Sequence, residues 1–573
     1  MFTLISRIAL GLALQQGMSA DTPGPTLGVS SADSVRILRA ARSAQSAFES
    51  FRRSRLPFRP GMGGPCDIRI GRYCYWRGDD TDDEPRPPEP PAVQERRAAL
   101  IATLDTASRT LNRDAWLAGQ HVRYLVEADR AEDAARVART ECGATPRWCL
   151  ALAGFAAHRA GKFADADAAF SAALTAMDST ERCHWLDITD LLDDDIEHRL
   201  SSLNCVAREQ LARRILRLGS PLFSVSGTDL LTEHLSRITR ARIAERAATP
   251  DGEPWGDDEQ TLMIRYGWPG WYSQNRQDFG SQQRPSITGH DSGLPYNFLP
   301  SLAVVEHAGL ATADDWHLDD PRARTGYAPA YARSVHGLPS QIARFRRGDS
   351  TLVVASWDAR KDTTLLGRPL DAALVFAVDG VPRAVTRLSG ARVTGHITAV
   401  DVLDSGLVSL ELLASADRRA ARERVGVFPR VGGRVALSDL LLYSPSATSP
   451  YELGVVQDSA LASNVIPPSR AVGVFWETYG LRAGSEQVSF TLTLEQVGVG
   501  WLQRAAERLH VADPTTGLRV QWQEVPQRIN DIAGRGVRVD LSRLRPGRYR
   551  MQLAVEADGE PMVTAVREID VRK

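Results

Sequence analysis

The hydrophobic pattern of this 573-residue chain changes its period near the middle of the sequence. From about Val93 to Leu218 apolar residues recur at helical spacing, whereas beyond Ser340 they alternate with polar ones, as in VSFTLTLEQV and YRMQLAVEA. The pattern predicts a multidomain α+β protein. We expect an N-terminal α-helical, repeat-like region, then a mixed segment, then one or two C-terminal antiparallel β-sandwich modules of immunoglobulin-like size.

The chain is too long for one hydrophobic core, so several domains are expected. The run SPSATSPYELG, residues 444–454, would separate the two β-rich parts. The predicted units are a signal peptide at 1–20, a helix, cysteine loop and acidic, proline-rich linker at 21–92, a helical domain at 93–215, a mixed segment at 216–340, a β-rich module at 341–443 and a C-terminal β-sandwich at 444–573.

The first 20 residues have the layout of a short secretory signal. Arg7 is the basic flank, Ile8 to Leu14 form the apolar stretch, and Ser19 and Ala20 are small residues before a cleavage point. No other run approaches the roughly 18 apolar residues that a membrane span needs. We therefore expect an exported protein, periplasmic or extracellular, without a transmembrane segment.

The six cysteines all lie within the first 205 residues and fall into neighbouring pairs. An even, clustered count is typical of disulfides in an oxidising compartment. Zinc is a weaker alternative, because no C-x-x-C occurs and the short spacings do not match structural zinc sites. Buried free thiols are the remaining alternative. The predicted disulfides are Cys66 with Cys74, Cys142 with Cys149, and Cys183 with Cys205.

The charge pattern argues against polyanionic partners and against metal binding. A net charge of −1 implies no broad attraction to nucleic acid or anionic lipid. Three of the 69 basic residues are lysines and the other 66 are arginines, a usage that codon bias explains better than phosphate binding. The acidic run from Asp79 to Glu84 lacks the ligand spacing of a calcium loop and precedes several prolines, which favours an extended linker.

One part of the helical region resembles a tetratricopeptide repeat. The stretch GFAAHRAGKFADADAAFSAAL places small and aromatic residues at the spacing of that repeat, within about residues 147–180. The resemblance implies a pair of antiparallel helices that approach closely where the side chains are small. The matching positions are Gly154, Gly161, Phe163, Ala166, Phe170, Ala173 and Leu174.

The segment from about 216 to 290 resembles the GWxTD domain found in predicted secreted bacterial proteins. The matching features are arginines that follow an acid in a helix, a Trp-Gly pair followed by acids, and a strand and turn that end in Gly-x-Pro. The family's Gly-Trp order is altered here, and Asp257-Asp258 replaces its Thr-Asp pair. The resemblance implies an exported envelope protein and brings no established activity. The residues concerned are Glu233, Arg237, Arg240, Trp255, Gly256, Ile264 to Gly267 and Pro269.

Four aromatic residues cluster within 18 positions: Trp255, Trp268, Trp271 and Tyr272. Residues 262–266 alternate as a strand would, so the aromatic turn is expected mainly to cover a core or a domain interface. The alternative is that the exposed rings stack on a ligand such as a sugar ring.

Known catalytic motifs are absent from the sequence, which contains no H-E-x-x-H, no G-x-S-x-G, no phosphate loop and no dinucleotide-binding glycine pattern. His290 and Asp291 are adjacent, so their side chains point apart in an extended chain. Two Arg-Gly-Asp tripeptides occur, at 77–79 and at 347–349, and the second lies where a hairpin turn is expected. No catalytic residue, metal site or cofactor is therefore predicted.

The favoured hypothesis is an exported, non-catalytic binding or scaffold protein of the bacterial envelope, with a protein or glycan partner. Two alternatives stay open: a structural component of a surface layer or secretion apparatus, and a secreted hydrolase of polysaccharide or peptide. The hydrolase would use a carboxylate pair within residues 233–291, and the candidate residues around the aromatic stretch are Glu233, Asp257, Asp258 and Glu259, together with His290.

Overall fold

The computed structural model describes residues 30–59, 66–76, 86–275, 286–290, 295–402, 405–427, 434–467, 471–482, 486–497 and 517–572. The predicted signal peptide at 1–20, the tripeptide at 77–79, the acidic run at 79–84 and Asp291 lie outside these residues. Within the described ranges, no helix combines the length and the apolar character needed to cross a membrane.

Helices dominate the N-terminal half, as the sequence predicts. They are α1 Ser31–Arg53, α2 Pro91–Thr110, α3 Ala115–Glu127, α4 Ala131–Thr140, α5 Pro146–Arg159, α6 Phe163–Thr175, α7 Ser179–Trp185, α8 Asp194–Ser201, α9 Cys205–Leu218, α10 Asp229–Ala244, α11 Asp257–Tyr266, α12 Leu302–Glu306 and, among the strands of the second half, α13 Leu453–Val456.

Strands dominate the C-terminal half. They are β1 Ile68–Ile70, β2 Tyr73–Tyr75, β3 Trp271–Gln274, β4 Ile287–His290, β5 Ser334–Gly337, β6 Ser340–Arg347, β7 Ser350–Asp358, β8 Leu370–Val378, β9 Val381–Ala391, β10 Thr394–Asp401, β11 Gly406–Ala414, β12 Arg419–Val427, β13 Ala436–Leu437, β14 Leu441–Tyr443, β15 Val465–Ile466, β16 Ala471–Tyr479, β17 Val488–Gln496, β18 Leu518–Glu524, β19 Ile532–Asp540, β20 Gly547–Ala557 and β21 Val563–Val571.

The strands from β5 onwards form two pairs of packed sheets, whereas β1–β2 and β3–β4 are separate two-stranded hairpins. The sheet β10-β7-β6 faces the sheet β5-β12-β11-β8-β9 across a core that includes Trp357, Phe376 and Leu410. The sheet β13-β16-β14, extended by β19, faces β15-β21-β20-β17-β18 across a second core. The alternation predicted from the sequence is confirmed, because Val488, Phe490, Leu492 and Leu494 on β17 and Tyr549, Met551, Leu553 and Val555 on β20 are all buried.

Strand pairing divides the two β-rich parts at a different place from the sequence-based boundary after residue 443. Residues 436–443 form β13 and β14, which both pair with β16 in the second pair of sheets. A small apolar cluster that includes Phe345, Leu441 and Phe475 joins the two parts. Local alternation identifies a strand but does not identify its partner, which explains the difference.

The hairpin expected at residues 347–349 is present. β6 and β7 pair from Ser340 with Trp357 to Arg347 with Ser350, so Gly348 and Asp349 are the two turn residues. Gly348 has a φ of 60°, a conformation that glycine adopts at little cost. The tripeptide is therefore explained by the turn alone.

The segment 257–266 is a helix, α11, and the prediction of a strand there is wrong. Asp257, Asp258 and Glu259 occupy its first turn and Arg265 its last, which suits the helix dipole. Gly267, with a φ of 87°, follows the last helical residue, where glycine commonly ends a helix. The buried residues Met263, Ile264 and Tyr266 also fit a helical face, so the short alternation at 262–266 does not distinguish a strand from a helix.

The α5–α6 pair forms the close helical hairpin that the small residues predict. A Cβ atom on Gly154 would lie 2.8 Å from ring atoms of Phe170, so only glycine lets the two helices approach this far. The likeness to a tetratricopeptide repeat remains a prediction, since an antiparallel helix pair is common to many helical folds.

Three disulfides join the cysteines in sequence-neighbouring pairs. They are Cys66–Cys74 in the β1–β2 hairpin, Cys142–Cys149 at the start of α5, and Cys183–Cys205 between α7 and α9. Each closes a short loop of the helical half, and the first of them ties the loop that packs beside α11.

A buried pair of charged residues, Glu411 and Arg424, joins the β-rich half to residues 218–224 at and after the end of α9. We call this pair the polar clasp. Glu411 is 1% exposed, and its carboxylate accepts hydrogen bonds from the backbone N–H groups of Phe223, at 2.7 Å, and Ser224, at 2.9 Å. Arg424 donates to the carbonyl oxygens of Leu218, at 3.0 Å, and Ser220, at 2.7 Å. The two side chains lie 3.7 Å apart, so each also compensates the other's buried charge.

We predict that Glu411→Ala strongly destabilises the protein. The substitution leaves the N–H groups of Phe223 and Ser224 without their acceptor and the buried guanidinium of Arg424 without its counter-charge, and breaking a buried ion pair costs about 3–5 kcal/mol. Urea denaturation, followed by circular dichroism, should show a clear fall in the midpoint. The exposed Glu556→Ala is the control and should leave the midpoint unchanged. Equal midpoints for Glu411→Ala and the unaltered protein would contradict the proposed clasp.

Candidate functional site

A pocket of about 190 Å³ lies where α1, α3, α10, the segment before α2 and the turn after α11 meet. Eight arginines and four acidic residues line it, which leaves an excess of four positive charges. The basic residues of the lining are Arg52, Arg55, Arg86, Arg97, Arg123, Arg159, Arg237 and Arg240, and the acidic ones are Glu89, Glu127, Asp129 and Glu233.

Glu127, at the end of α3, is held by three arginines from three helices. Its Oε1 accepts from Arg123 Nε and from Arg240 Nη2, both at 2.8 Å, and its Oε2 accepts from Arg52 Nη1 at 2.9 Å. Burial alone would raise the pKa of Glu127, but Arg123 and Arg52 outweigh it and hold that pKa well below its usual value. This carboxylate is therefore ionised at neutral pH.

A second buried carboxylate, Glu49 on α1, supports this cluster from behind. It accepts from Arg123 Nη2 at 2.7 Å, from Arg52 Nη2 at 2.5 Å and from the hydroxyl of Tyr124 at 2.6 Å. The two glutamates together fix the guanidinium groups of Arg52 and Arg123. The floor of the pocket is thus pre-organised, because its side chains are held by bonds on several sides.

Glu233 on α10 is also fully committed to ion pairs. Arg237 Nε donates to its Oε1 at 2.6 Å, and its Oε2 lies 2.8 Å from Nε2 of His158. Burial would raise the pKa of Glu233, but Arg237 and His158 lower it well below the usual value. The carboxylate is consequently a poor proton donor near neutral pH.

Arg240 is the least satisfied of the buried cations. It is 3% exposed, and its Nη1 has no hydrogen-bond partner among the described residues. Burial and the neighbouring Arg123 lower its pKa to about 9, so it still carries its charge at neutral pH. The Nε atoms of Arg52 and Arg97 are likewise buried without a described partner. A buried polar group without a partner is costly, and an anion in the pocket would supply the missing acceptor.

The aromatic turn forms one wall of the pocket. Trp268, Trp271 and Tyr272 line it and are half-buried, whereas Trp255 lies outside it. The guanidinium of Arg240 stacks on the Trp268 ring, 3.6 Å from the ring centroid. The turn therefore contributes both to packing and to the pocket surface. The two hypotheses for it, that it covers a core or interface and that its rings stack on a ligand, do not exclude each other.

Trp271 is fixed in orientation by its neighbours. Its ring stacks on His290 with centroids 3.9 Å apart and planes at 10°, because β3 and β4 pair Trp271 with His290. The guanidinium of Arg59 lies 4.6 Å from the centroid of the Trp271 ring. His290 in turn has its Nε2 2.8 Å from Oγ of Ser273. These contacts give His290 a positioning role for the indole.

The carboxylates proposed for a hydrolase lie at two places, at the pocket and beside Arg72. Of the five residues named from the sequence, Glu233 lines the pocket, whereas Asp258 pairs with Arg72 at 3.0 Å in the cysteine loop. Glu259 lies 3.8 Å from the same arginine, and burial together with Asp251 raises its pKa to about 8. Asp257 is exposed. The described residues hold no group of three or more His, Cys, Asp or Glu side chains arranged for a metal ion.

Sequence reasoning found the aromatic wall but missed most of the cationic floor. Arg52, Arg97, Arg123 and Glu127 come from helices that are far from the aromatic turn in sequence. The local signals are the pairs Arg123–Glu127 and Glu233–Arg237 at i,i+4 and Glu49–Arg52 at i,i+3, and such pairs usually lie on exposed helix faces. Arg240 was singled out through the GWxTD resemblance alone.

Comparison with known proteins identifies no family for this chain. No protein-family model matches the sequence, and no curated protein matches it. Among solved structures, chicken CNTN1 FN1–FN3 domains align at 12% identity and a TM-score of 0.14 over 42% of this chain and 67% of that one.

Two further structures give similar values. Red sea bream transglutaminase aligns at 11% identity and a TM-score of 0.15, over 41% of this chain and 31% of its own. A putative membrane anchored protein from Corynebacterium diphtheriae aligns at 10% identity and a TM-score of 0.15, over 41% of this chain and 59% of its own. The chain thus spans less than two thirds of the length of both, and at such scores these likenesses carry no argument about function.

We predict that Glu127→Gln destabilises the protein at neutral pH and that the difference narrows in acid. The variant removes the negative charge that three buried arginines share. Breaking a buried ion pair costs about 3–5 kcal/mol. Because the pKa of Glu127 is lower in the folded protein than in the unfolded chain, its stabilising effect is present above an unfolded pKa of roughly 4.3 and is lost as the pH falls below it.

Urea denaturation at pH 7 and at several values down to about pH 3 measures this difference. Glu132→Gln, which removes an exposed pair with Lys162, is the matched control and should behave like the unaltered protein. If Glu127→Gln unfolds at the same urea concentration as the unaltered protein at pH 7, the proposed role of Glu127 is wrong.

Proposed function

We propose that the chain is an exported binding protein of the bacterial envelope that holds an acidic saccharide without cleaving it. The binding site would be the pocket lined by Arg240, Trp268 and Trp271, which we call the arginine–tryptophan pocket. The observation that carries the proposal is the surplus of buried guanidinium groups beside partly exposed indoles. The pocket volume of about 190 Å³ suits a small charged group and the sugar ring that bears it.

The cations of the pocket favour an anionic ligand. Arginines outnumber acids in the lining, although Arg55, Arg86 and Arg159 are exposed and Glu49 compensates part of the buried charge. The remaining positive charge attracts an anion, and Arg240 Nη1 has no described partner. Guanidinium groups bind carboxylates with two parallel hydrogen bonds, which fixes orientation as well as charge. A carboxylate on a sugar is therefore a suitable ligand group.

The aromatic wall favours a ring beside the charge. Trp271 is oriented by stacking of one ring face on His290, with centroids 3.9 Å apart, and still contributes to the pocket surface. Indole faces stack on the apolar faces of sugar rings, which suits a ligand with alternating polar and apolar surfaces. A pre-organised ring of this kind loses little entropy when the ligand binds.

The ionisation of the acidic residues argues against hydrolysis. Glycoside cleavage usually needs one protonated and one ionised carboxyl group that flank the scissile bond. Burial would raise the pKa of Glu127 and of Glu233, but neighbouring arginines outweigh it and hold both carboxylates ionised. The geometry thus supports binding without turnover.

The three disulfides support the proposed location outside the cytoplasm. The two pairs of packed sheets are consistent with β-sandwich modules that present the helical half to a partner. The likeness to the GWxTD domain belongs to the same proposal, since that family consists of predicted secreted proteins.

We predict that the protein binds trigalacturonate and discriminates against galactotriose, its neutral counterpart. A hydrogen bond to a charged group contributes about 1.5–3 kcal/mol, so Arg240→Ala should weaken the binding roughly 10- to 100-fold. Trp271→Ala should weaken it about tenfold, because the variant loses the stacking surface. Isothermal titration calorimetry measures both effects, and the affinity should also fall as salt is added.

Arg550→Ala, which removes an exposed arginine of β20, is the control and should bind as the unaltered protein does. Circular dichroism of each variant separates lost binding from lost folding, and Trp271→Ala leaves the ion pairs of the floor intact. Equal affinity for the acidic and the neutral trisaccharide would overturn the proposal. Chromatography of the recovered ligand checks turnover, and shortened products would favour the hydrolase.

A further inference from the structure

A second groove lies on the other side of α3 and α10 and shares no lining residue with the arginine–tryptophan pocket. It has a volume of about 470 Å³ and adjoins a further cavity of about 340 Å³, with which it shares Trp185, Arg242 and Glu245. Both volumes fall in the range of about 300–1,000 Å³ that is usual for ligand sites. We call these two adjoining cavities together the tryptophan groove.

Three indole rings line the tryptophan groove. Trp116 and Trp148 are half-buried on its walls, and Trp185 is 1% exposed and forms part of its floor. Trp148 Nε1 donates to the carbonyl oxygen of Ala115 at 3.0 Å, which fixes that ring. The Nε1 atoms of Trp116 and Trp185 are buried and have no partner among the described residues. Two N–H donors at the groove are therefore without an acceptor.

The charged residues of the groove largely cancel one another. Glu181 accepts from Arg147 Nε and from Arg242 Nη1, both at 2.9 Å. Over both cavities, three arginines stand against four acids, which are Glu181, Asp187, Asp190 and Glu245. The groove therefore favours neither an anionic nor a cationic ligand, in contrast to the arginine–tryptophan pocket. Its planar ion pairs still offer donors and acceptors to a neutral polar ligand.

Two disulfides restrain the walls that carry the tryptophans. Cys149 follows Trp148 directly in sequence and is bonded to Cys142. Cys183 lies two residues before Trp185 and is bonded to Cys205. Cross-links at these positions limit the movement of the short segments that hold the rings. The aromatic surface is thus rigid, which lowers the entropic cost of binding.

We propose that the tryptophan groove binds a neutral oligosaccharide chain of several sugar units. The half-buried rings of Trp116 and Trp148 and the balanced ion pairs match the apolar faces and hydroxyl groups of neutral sugars. The two adjoining cavities provide length for more than one ring. An extended peptide is less well matched, because helices form the walls and their backbone groups are already bonded within the helices, so no strand edge is available.

The test is titration of the full chain with cellohexaose and with chitohexaose, followed by calorimetry and by saturation-transfer NMR. At least one hexasaccharide should bind, with contacts from the sugar rings to aromatic protons. Trp148→Ala should weaken that binding at least tenfold, and Trp148→Phe should retain part of it because a smaller aromatic face remains. Trp255→Ala, a tryptophan of similar burial outside both sites, is the matched control and should leave it unchanged.

Absence of binding by both hexasaccharides would overturn this inference, and so would equal binding by Trp148→Ala and the unaltered protein. Circular dichroism shows whether each variant is folded. These outcomes do not bear on the arginine–tryptophan pocket, because its residues and its acidic probe are different.

Discussion

The contact on which the rest of the structure depends is the buried carboxylate of Glu127 with its three arginines. Arg52, Arg123 and Arg240 come from α1, α3 and α10, and each lies within 2.9 Å of the same side chain. One charge therefore joins three helices and also forms the floor of the pocket. Three arginines surround the one carboxylate of Glu127, so the site keeps a surplus of positive charge. At least one guanidinium nitrogen, Arg240 Nη1, also has no described partner. The same arrangement thus joins the helices of the helical half and is the basis for the proposed preference of the pocket for anions.

The regular parts of the fold were largely predictable, because their signals are local. A helix such as Ser31–Arg53 buries one face at helical spacing, and a strand such as Val488–Gln496 buries every second residue. Both patterns can be recognised in a window of about ten residues. The cysteine pairs were predictable for a similar reason, since the partners are separated by 22 residues at most. The pairing of β13 and β14 with β16 could not be predicted in this way, because contacts between residues far apart in sequence decide which strands pair.

The site was only partly predictable, for two physical reasons. Its aromatic wall lies in one short stretch, so Trp268, Trp271 and Tyr272 were identified together. Its cationic floor is assembled from helices more than one hundred residues apart in places, and one arginine among 66 carries no distinguishing mark in the sequence. The helix α11 shows the other difficulty. Its short apolar pattern fits a strand as well as a helix, and the acids at its start and Gly267 at its end decide between them.

A crystal structure of the protein with trigalacturonate would test the central claim most directly. The account predicts intact sugar in the arginine–tryptophan pocket, with a carboxylate within hydrogen-bonding distance of Arg240 Nη1 and a ring stacked on Trp271. Glu127 should keep its contacts with all three arginines. A pocket filled by side chains of the protein itself, sugar bound elsewhere on the surface, or a cleaved product in the pocket would contradict it.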